Sequence, residues 1–174
     1  SVETTQGVHK ADTILVAADY AHTELRLLDP AHQTYSERYW NKRVWAPSAL
    51  LMYLGLDRPV PKLLHHSLSF EHDWVEHFES IFSAPSWPDK PSYYLCCPTK
   101  TDPSVAPPGC ENLVVLVPVA SGLRDDDETR ERFGDQVLDA LEGLVGEPIR
   151  PSIVSKTLFS QRDFASAFNA YRGT

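Results

Sequence analysis

Ser92-Tyr93-Tyr94-Leu95-Cys96-Cys97 and Leu113-Val114-Val115-Leu116-Val117-Pro118-Val119 flank a connector, and this pairing decides the fold of the chain. Both runs are short, apolar and rich in β-branched or aromatic residues, so they read as buried strands. Pro98 ends the first. Between them, Lys100 to Cys110 (KTDPSVAPPGC) combines Asp-Pro, Pro-Pro and Gly, which predicts a loop of fixed shape rather than a two-residue hairpin. Pro118 removes a ladder donor, which suits a strand leaving its sheet or backbone that faces a ligand.

Upstream of this pair, Ser48 to Leu56 (SALLMYLGL) could be a strand or a buried helix by its pattern. Its Tyr-Leu-Gly ending and the Pro59-Val60-Pro61 that follows favour a strand. Leu64 to Phe70 alternates apolar and polar residues like a half-buried strand. Trp74, Val75, Phe78, Ile81 and Phe82 recur at helical spacing, predicting a helix over 73–83 whose aromatic stripe belongs to the core. Further back, Thr13 to Ala18 (TILVAA) reads as a strand covered on both faces. Asp19 then caps a short helix from Tyr20 to Leu28, stopped by Asp29-Pro30. Gln33 to Trp40 is a weaker helix candidate, and the segment up to Lys10 is polar and aperiodic.

Downstream, Asp125 and Glu128 have capping-box spacing and start a helix that runs to about Val145. Its stripe is Phe133, Val137, Leu138, Leu141, Leu144 and Val145, with Gly146 and Pro148 as the stop. The acidic run here lacks the alternate-residue spacing of a calcium loop, so capping explains it. Ile153 to Phe159 is a further strand, and Ser160 with Asp163 caps a last helix carrying Phe164, Phe168 and Tyr171 on one face. The expected class is α+β: one domain over 1–174, with a mixed, largely antiparallel sheet of about five strands and helices packed on it.

Asp and Glu number 24 against 16 Lys and Arg, and the net charge of −8 repels phosphate backbones; nucleic acid is not an expected partner. No apolar run approaches the roughly 20 residues of a membrane span, and no signal peptide is read at the N-terminus, so a cytoplasmic location is expected. Cys96, Cys97 and Cys110 are expected as reduced structural thiols. Of His65, His66, His72 and His77, the first two are adjacent on a strand and would face opposite sides, and the last two are five residues apart; no metal site is expected. Glycine-rich dinucleotide and phosphate loops, a nucleophile elbow and a zinc-protease motif are all missing.

The order of segments nevertheless resembles a known family. Ala18-Asp19-x-x-His22-Thr23, Ser48-x-x-x-x-Tyr53-x-Gly55-Leu56, His65-His66, Ile81-Phe82, Pro98-x-x-x-Asp102-x-x-x-Ala106-Pro107-x-Gly109-Cys110, Leu116-x-Pro118-Val119 and Phe164-x-x-x-x-Asn169-Ala170-Tyr171-x-Gly173 are similar to bacterial-type phytoene desaturases. The Asp-x-x-x-Ala-Pro-x-Gly connector is the most specific of these. The resemblance implies FAD-dependent carotenoid formation on a polyene hydrocarbon, with this chain as the central substrate-binding domain. Members of the family are considerably longer, so the flavin-binding regions are expected outside the chain, and residues 1–174 alone are expected neither to hold FAD nor to turn over.

The family's usual Asn-Ala-Asp is Ala17-Ala18-Asp19 here, which removes the polar first position. Ala18 and Asp19 are the candidates for proximity to the cofactor. Tyr53, Tyr94 and Leu116 are candidates for the wall of an apolar tunnel, each open to the plainer reading of ordinary core; no catalytic residue is carried over. The resemblance further implies peripheral contact with the membrane that stores the substrate, and self-association through apolar surface left by a missing neighbour. Two readings compete with it: a sister carotenoid isomerase or ketolase, and a stand-alone binding module without redox chemistry.

Overall fold

A computed structural model describes residues 1–70 and 74–174, so the expected starting turn of the 73–83 helix, with His72 and Asp73, lies outside the described residues. The chain divides into two compact units, residues 1–43 and 44–174.

In residues 1–43, strands β1 (Val2–Thr4) and β2 (Gly7–His9) form an exposed hairpin. Its turn is fixed by the Thr4 hydroxyl, which donates to the Gly7 carbonyl and accepts from the Gln6 amide. Asp19 caps helix α1 (Tyr20–His22) as expected, its Oδ1 accepting the His22 amide at 2.7 Å. The winding widens into a π-helical turn over Thr23–Leu27 and stops at Leu28. Helix α2 (Glu37–Trp40) is the short remainder of the weak candidate, capped by Ser36. Glu24 is buried and holds the approach to α2 by accepting the Thr34 and Tyr35 amides. Tyr20, Tyr35 and Trp40 pack edge to face beside it.

Thr13 to Ala18 departs from expectation: it has no regular structure, and Leu15 is 93% exposed. A strand needs ladder partners for its amides and carbonyls. No described residue supplies them here, so apolar composition alone leaves the segment irregular.

In residues 44–174, five strands form one sheet in the order β4-β5-β6-β3-β7: β3 is Ser48–Leu56, β4 His66–Ser69, β5 Tyr93–Cys96, β6 Glu111–Val119 and β7 Ile153–Phe159. Every pairing is antiparallel. The longest runs, β3 and β6, pair over nine residues from Ser48↔Val119 to Leu56↔Glu111. Ser48 to Leu56 is therefore a strand, and the two runs around the proline-rich connector are neighbours in the sheet.

Side chains alternate across this sheet. Leu50, Met52, Leu54 and Leu56 of β3, Leu113, Val115, Val117 and Val119 of β6, and Tyr93 and Leu95 of β5 face a core in which each is nearly or fully buried. Helix α4 (Asp127–Val145) closes that side with Phe133, Val137, Leu138, Leu141 and Val145. At roughly 1.5–3 kcal/mol for each large apolar side chain buried, this single layer is the main source of stability. Gly134 lets α4 approach: a Cβ there would sit 3.2 Å from Leu158 and 3.6 Å from Met52.

The α4 cap falls one residue later than its spacing suggested. Asp126 accepts the Thr129 amide at 2.9 Å, because the Asp125 carboxylate is engaged by the buried Arg130 through Nε and Nη2 at 2.7 and 2.8 Å. Gly146 ends the helix in the left-handed region, at φ 72°. Helix α5 (Gln161–Phe168) starts on the expected Ser160–Asp163 capping box. All three cysteines are free thiols.

Candidate functional site

With α4 on one face, the other face of the sheet is left without a helical layer along its centre. Register places Ala49, Leu51, Tyr53 and Gly55 of β3, Asn112, Val114, Leu116 and Pro118 of β6, and Tyr94 and Cys96 of β5 on this face. None carries a formal charge, and nearly all are half-buried rather than sealed. The three candidate wall residues meet here. Tyr94 pairs directly with Leu116, Leu116 pairs with Leu51, and Tyr53 lies two positions along β3, 41% exposed. None of the three belongs to the buried core.

Two helices turn this face into a trough. Helix α3 (Trp74–Phe82) anchors through His77, Ser80 and Ile81, which are buried. The stripe expected in the core is instead mostly outside it: Trp74, Val75, Phe78 and Phe82 are 58%, 43%, 55% and 42% exposed. The physical reason is that the core side of the sheet is already filled by α4, so α3 lies at the rim with its aromatic side unpaired. A hollow of about 350 Å³ lies between it and the sheet, lined by Phe70, Trp74, Phe78, Ile81 and Pro118 among others. A second of about 350 Å³ is lined by Ala49, Leu116, Pro118 and, from α5, Phe164. Pro47 and Pro118 line both. Each volume falls within the roughly 300–1,000 Å³ of small-molecule sites, and the lining offers almost nothing polar to a ligand.

His77 fixes the trough. Its Nε2–H donates to the Pro118 carbonyl at 2.7 Å while Nδ1 accepts the Ser92 amide at 3.0 Å, so α3 is tied both to β6 and to the approach to β5.

The β4 edge of the same face carries a polar cluster. Strand β4 begins at His66, so His65 precedes the strand and escapes its alternation; the two rings stack at 4.1 Å instead of facing opposite sides. This corrects the expectation drawn from adjacency. His66 pairs with Cys96 across β4 and β5, and a ring nitrogen of each histidine and the Cys96 sulfur all lie within 4.8 Å of one another. His65 Nδ1 meets the Thr101 hydroxyl at 2.6 Å, and His66 Nδ1 meets the Tyr94 hydroxyl at 2.7 Å. Contact with Cys96 and partial desolvation push the Tyr94 phenol above its ordinary value.

Of the candidates for proximity to the cofactor, Ala18 is exposed and Asp19 Oδ1 accepts the His22 amide as the cap of α1. Among the described residues no helix is long and apolar enough to cross a membrane.

Reading the sequence alone missed the exposure of Trp74 and Phe78 and the anchoring role of His77. Helical spacing gives the apolar stripe but neither which of its residues are covered nor that His77 is buried.

Comparison with known proteins gives the family. The model of the flavin containing amine oxidoreductases matches residues 1–174. A carotenoid 3,4-desaturase of Haloarcula japonica is 46% identical over 174 residues, covering 99% of this chain and 35% of the relative. A zeta-carotene-forming phytoene desaturase of Myxococcus xanthus is 36% identical over 172 residues, covering 96% and 32%. A lycopene-forming phytoene desaturase of Pseudescherichia vulneris is 30% identical over 172 residues, covering 96% and 35%. The chain thus spans about a third of the length of these relatives. The match over every residue establishes that the chain belongs to the flavin containing amine oxidoreductase family.

Proposed function

We propose that the chain is the substrate-binding portion of an FAD-dependent carotenoid desaturase, and that the uncharged face of its sheet is the wall against which a polyene hydrocarbon lies. The observation that carries this reading is the uncharged sheet face bearing Leu51, Tyr53, Tyr94 and Leu116, with two apolar hollows sharing Pro47 and Pro118 at one end of it, one of them lined by Leu116. A long hydrocarbon has no polar handle, so its recognition has to come from burial of apolar area, at roughly 25 cal/mol per Å². On this reading the flavin that the family's description specifies is held mainly by parts of the protein beyond these residues, with Ala18 and Asp19 close to it. The chain's own contribution is to bind, orient and keep water from the polyene. On the same reading Trp74, Phe78 and Phe82 of α3, which line the first hollow, also form its half-exposed rim on the side of peripheral membrane contact.

The sister reading, oxygen insertion, has some support, because a relative from Staphylococcus haemolyticus at 28% identity is a 4,4'-diaponeurosporene oxygenase. Desaturation is preferred because the relative at 46% is a desaturase. The complete protein, incubated with a polyene precursor such as phytoene, is expected to yield a product with additional conjugated double bonds, read by absorption and mass. A product of unchanged unsaturation would rule desaturation out; one heavier by oxygen would establish the sister activity.

A further inference from the structure

The His65–His66–Cys96 cluster is polar where the rest of the face is apolar, and its geometry needs its own explanation. Two donors on a tetrahedral zinc ion lie about 3.3–3.6 Å apart, given Zn–N of about 2.0–2.1 Å and Zn–S of about 2.3 Å. The three donors here are within 4.8 Å of one another, so the side chains close on an ion by up to roughly 1 Å. The set is also held from outside. In metal sites the ring nitrogen that does not ligate is anchored by a hydrogen bond, which sets the tautomer and the ring's direction. Here the Thr101 hydroxyl meets Nδ1 of His65 and the Tyr94 hydroxyl meets Nδ1 of His66, so ligation through Nε2 requires the tautomer of each ring that carries its proton on Nδ1. The ladder pairing of His66 with Cys96 fixes the third donor by backbone register rather than by a mobile loop.

We propose that His65, His66 and Cys96 bind a zinc ion at the β4 edge of the sheet. Two imidazoles and a thiolate, with no carboxylate among them, suit a borderline-soft ion and disfavour calcium or magnesium. Three protein donors leave a fourth position on the half-exposed side, open to water or an oxygen ligand. The argument for this site does not use the polyene reading, although Cys96 lies on the same open face and Tyr94, which meets His66, is also one of its wall residues.

The test uses the complete protein, purified without chelator and dialysed, with zinc measured by mass spectrometry and cobalt titrated into the metal-free form. One zinc per chain is expected, together with the intense visible bands of tetrahedral cobalt and a thiolate-to-cobalt charge-transfer band in the difference spectrum. Cys96→Ser should remove that band while Cys110→Ser leaves it, and His65→Ala should abolish zinc retention. Thr101→Val, which touches only the non-ligating nitrogen, should weaken zinc binding by about 10–100-fold. Zinc lost on dialysis together with a weak octahedral cobalt spectrum in the unmodified protein would overturn the proposal, and so would a charge-transfer band that survives Cys96→Ser. Because zinc retention and the cobalt spectrum of the unmodified protein decide the matter by themselves, the proposal stays falsifiable even where a variant folds poorly.

Discussion

At the scale of single residues, two polar side chains do more for the architecture than their position in the sequence announces. His77 uses both ring nitrogens, one on the Pro118 carbonyl and one on the Ser92 amide, and is 5% exposed. His77→Phe keeps the ring's bulk but strands two polar groups, and should cost about 1–3 kcal/mol in denaturant unfolding. A loss below a few tenths of that would mean water replaces the histidine freely. Asp126 is the second case. The Thr129 amide and hydroxyl, with Arg124 beyond them, hold its carboxyl down to about 2 against burial that works the other way. A folded value below the unfolded one adds stability above about pH 4, and that stability is lost as pH falls toward 2. Asp126→Asn still accepts a cap hydrogen bond but cannot ionise. The stability gap between the two proteins should therefore be open at pH 6 and close by about pH 2, read from denaturation curves across that range.

At the scale of elements, α4 and α3 contrast two helices that periodicity makes look alike. Helix α4 is legible from its stripe, its acidic start and Gly146, because every stripe residue but Leu144 is buried in the one core cluster that it shares with β3, β5 and β6. Leu141 is fully buried, and Leu141→Ala should destabilise by about 2–5 kcal/mol with no change in the open face. Helix α3 has the same kind of stripe and buries little of it. Periodicity states that one side of a helix is apolar; it does not state what covers that side. Thr13 to Ala18 teaches the same lesson for strands, since an apolar β-branched run stays irregular where no ladder partner stands beside it.

At the scale of the whole molecule, the sheet is asymmetric: one face sealed by α4, the other uncharged and open between α3 and α5. Substitutions on the two faces should therefore separate stability from binding. Val117→Asp puts a charge into the sealed layer and should unfold the domain. Leu116→Asp, one residue away on the open face, should leave a cooperative melt while removing polyene turnover in the complete protein. Equal damage from both would sink the proposal that the open face is the substrate wall. The exposed aromatic side of α3 adds a second expectation: residues 1–174 prepared alone should self-associate, with a sedimentation coefficient that rises with concentration. A clean monomer across a wide range would count against it.

What the sequence by itself determined is the set of elements: the β3–β5–β6 runs, the α4 helix with its glycine stop, the Asp19 and Ser160 caps and the α+β class. Each follows from local periodicity and backbone chemistry, which a chain carries in its own order of residues. Tyr53, Tyr94 and Leu116 could be named as candidates for the same reason, as apolar residues on strands. Only the tertiary structure decided that these three share the face that α4 leaves open, that His77 is spent on holding α3, and that His65 turns back onto His66 and Cys96. The physical reason is common to all of them. Which side of an element is covered, and which polar groups meet across it, depends on register and packing between distant segments, and those are fixed only when the sheet closes.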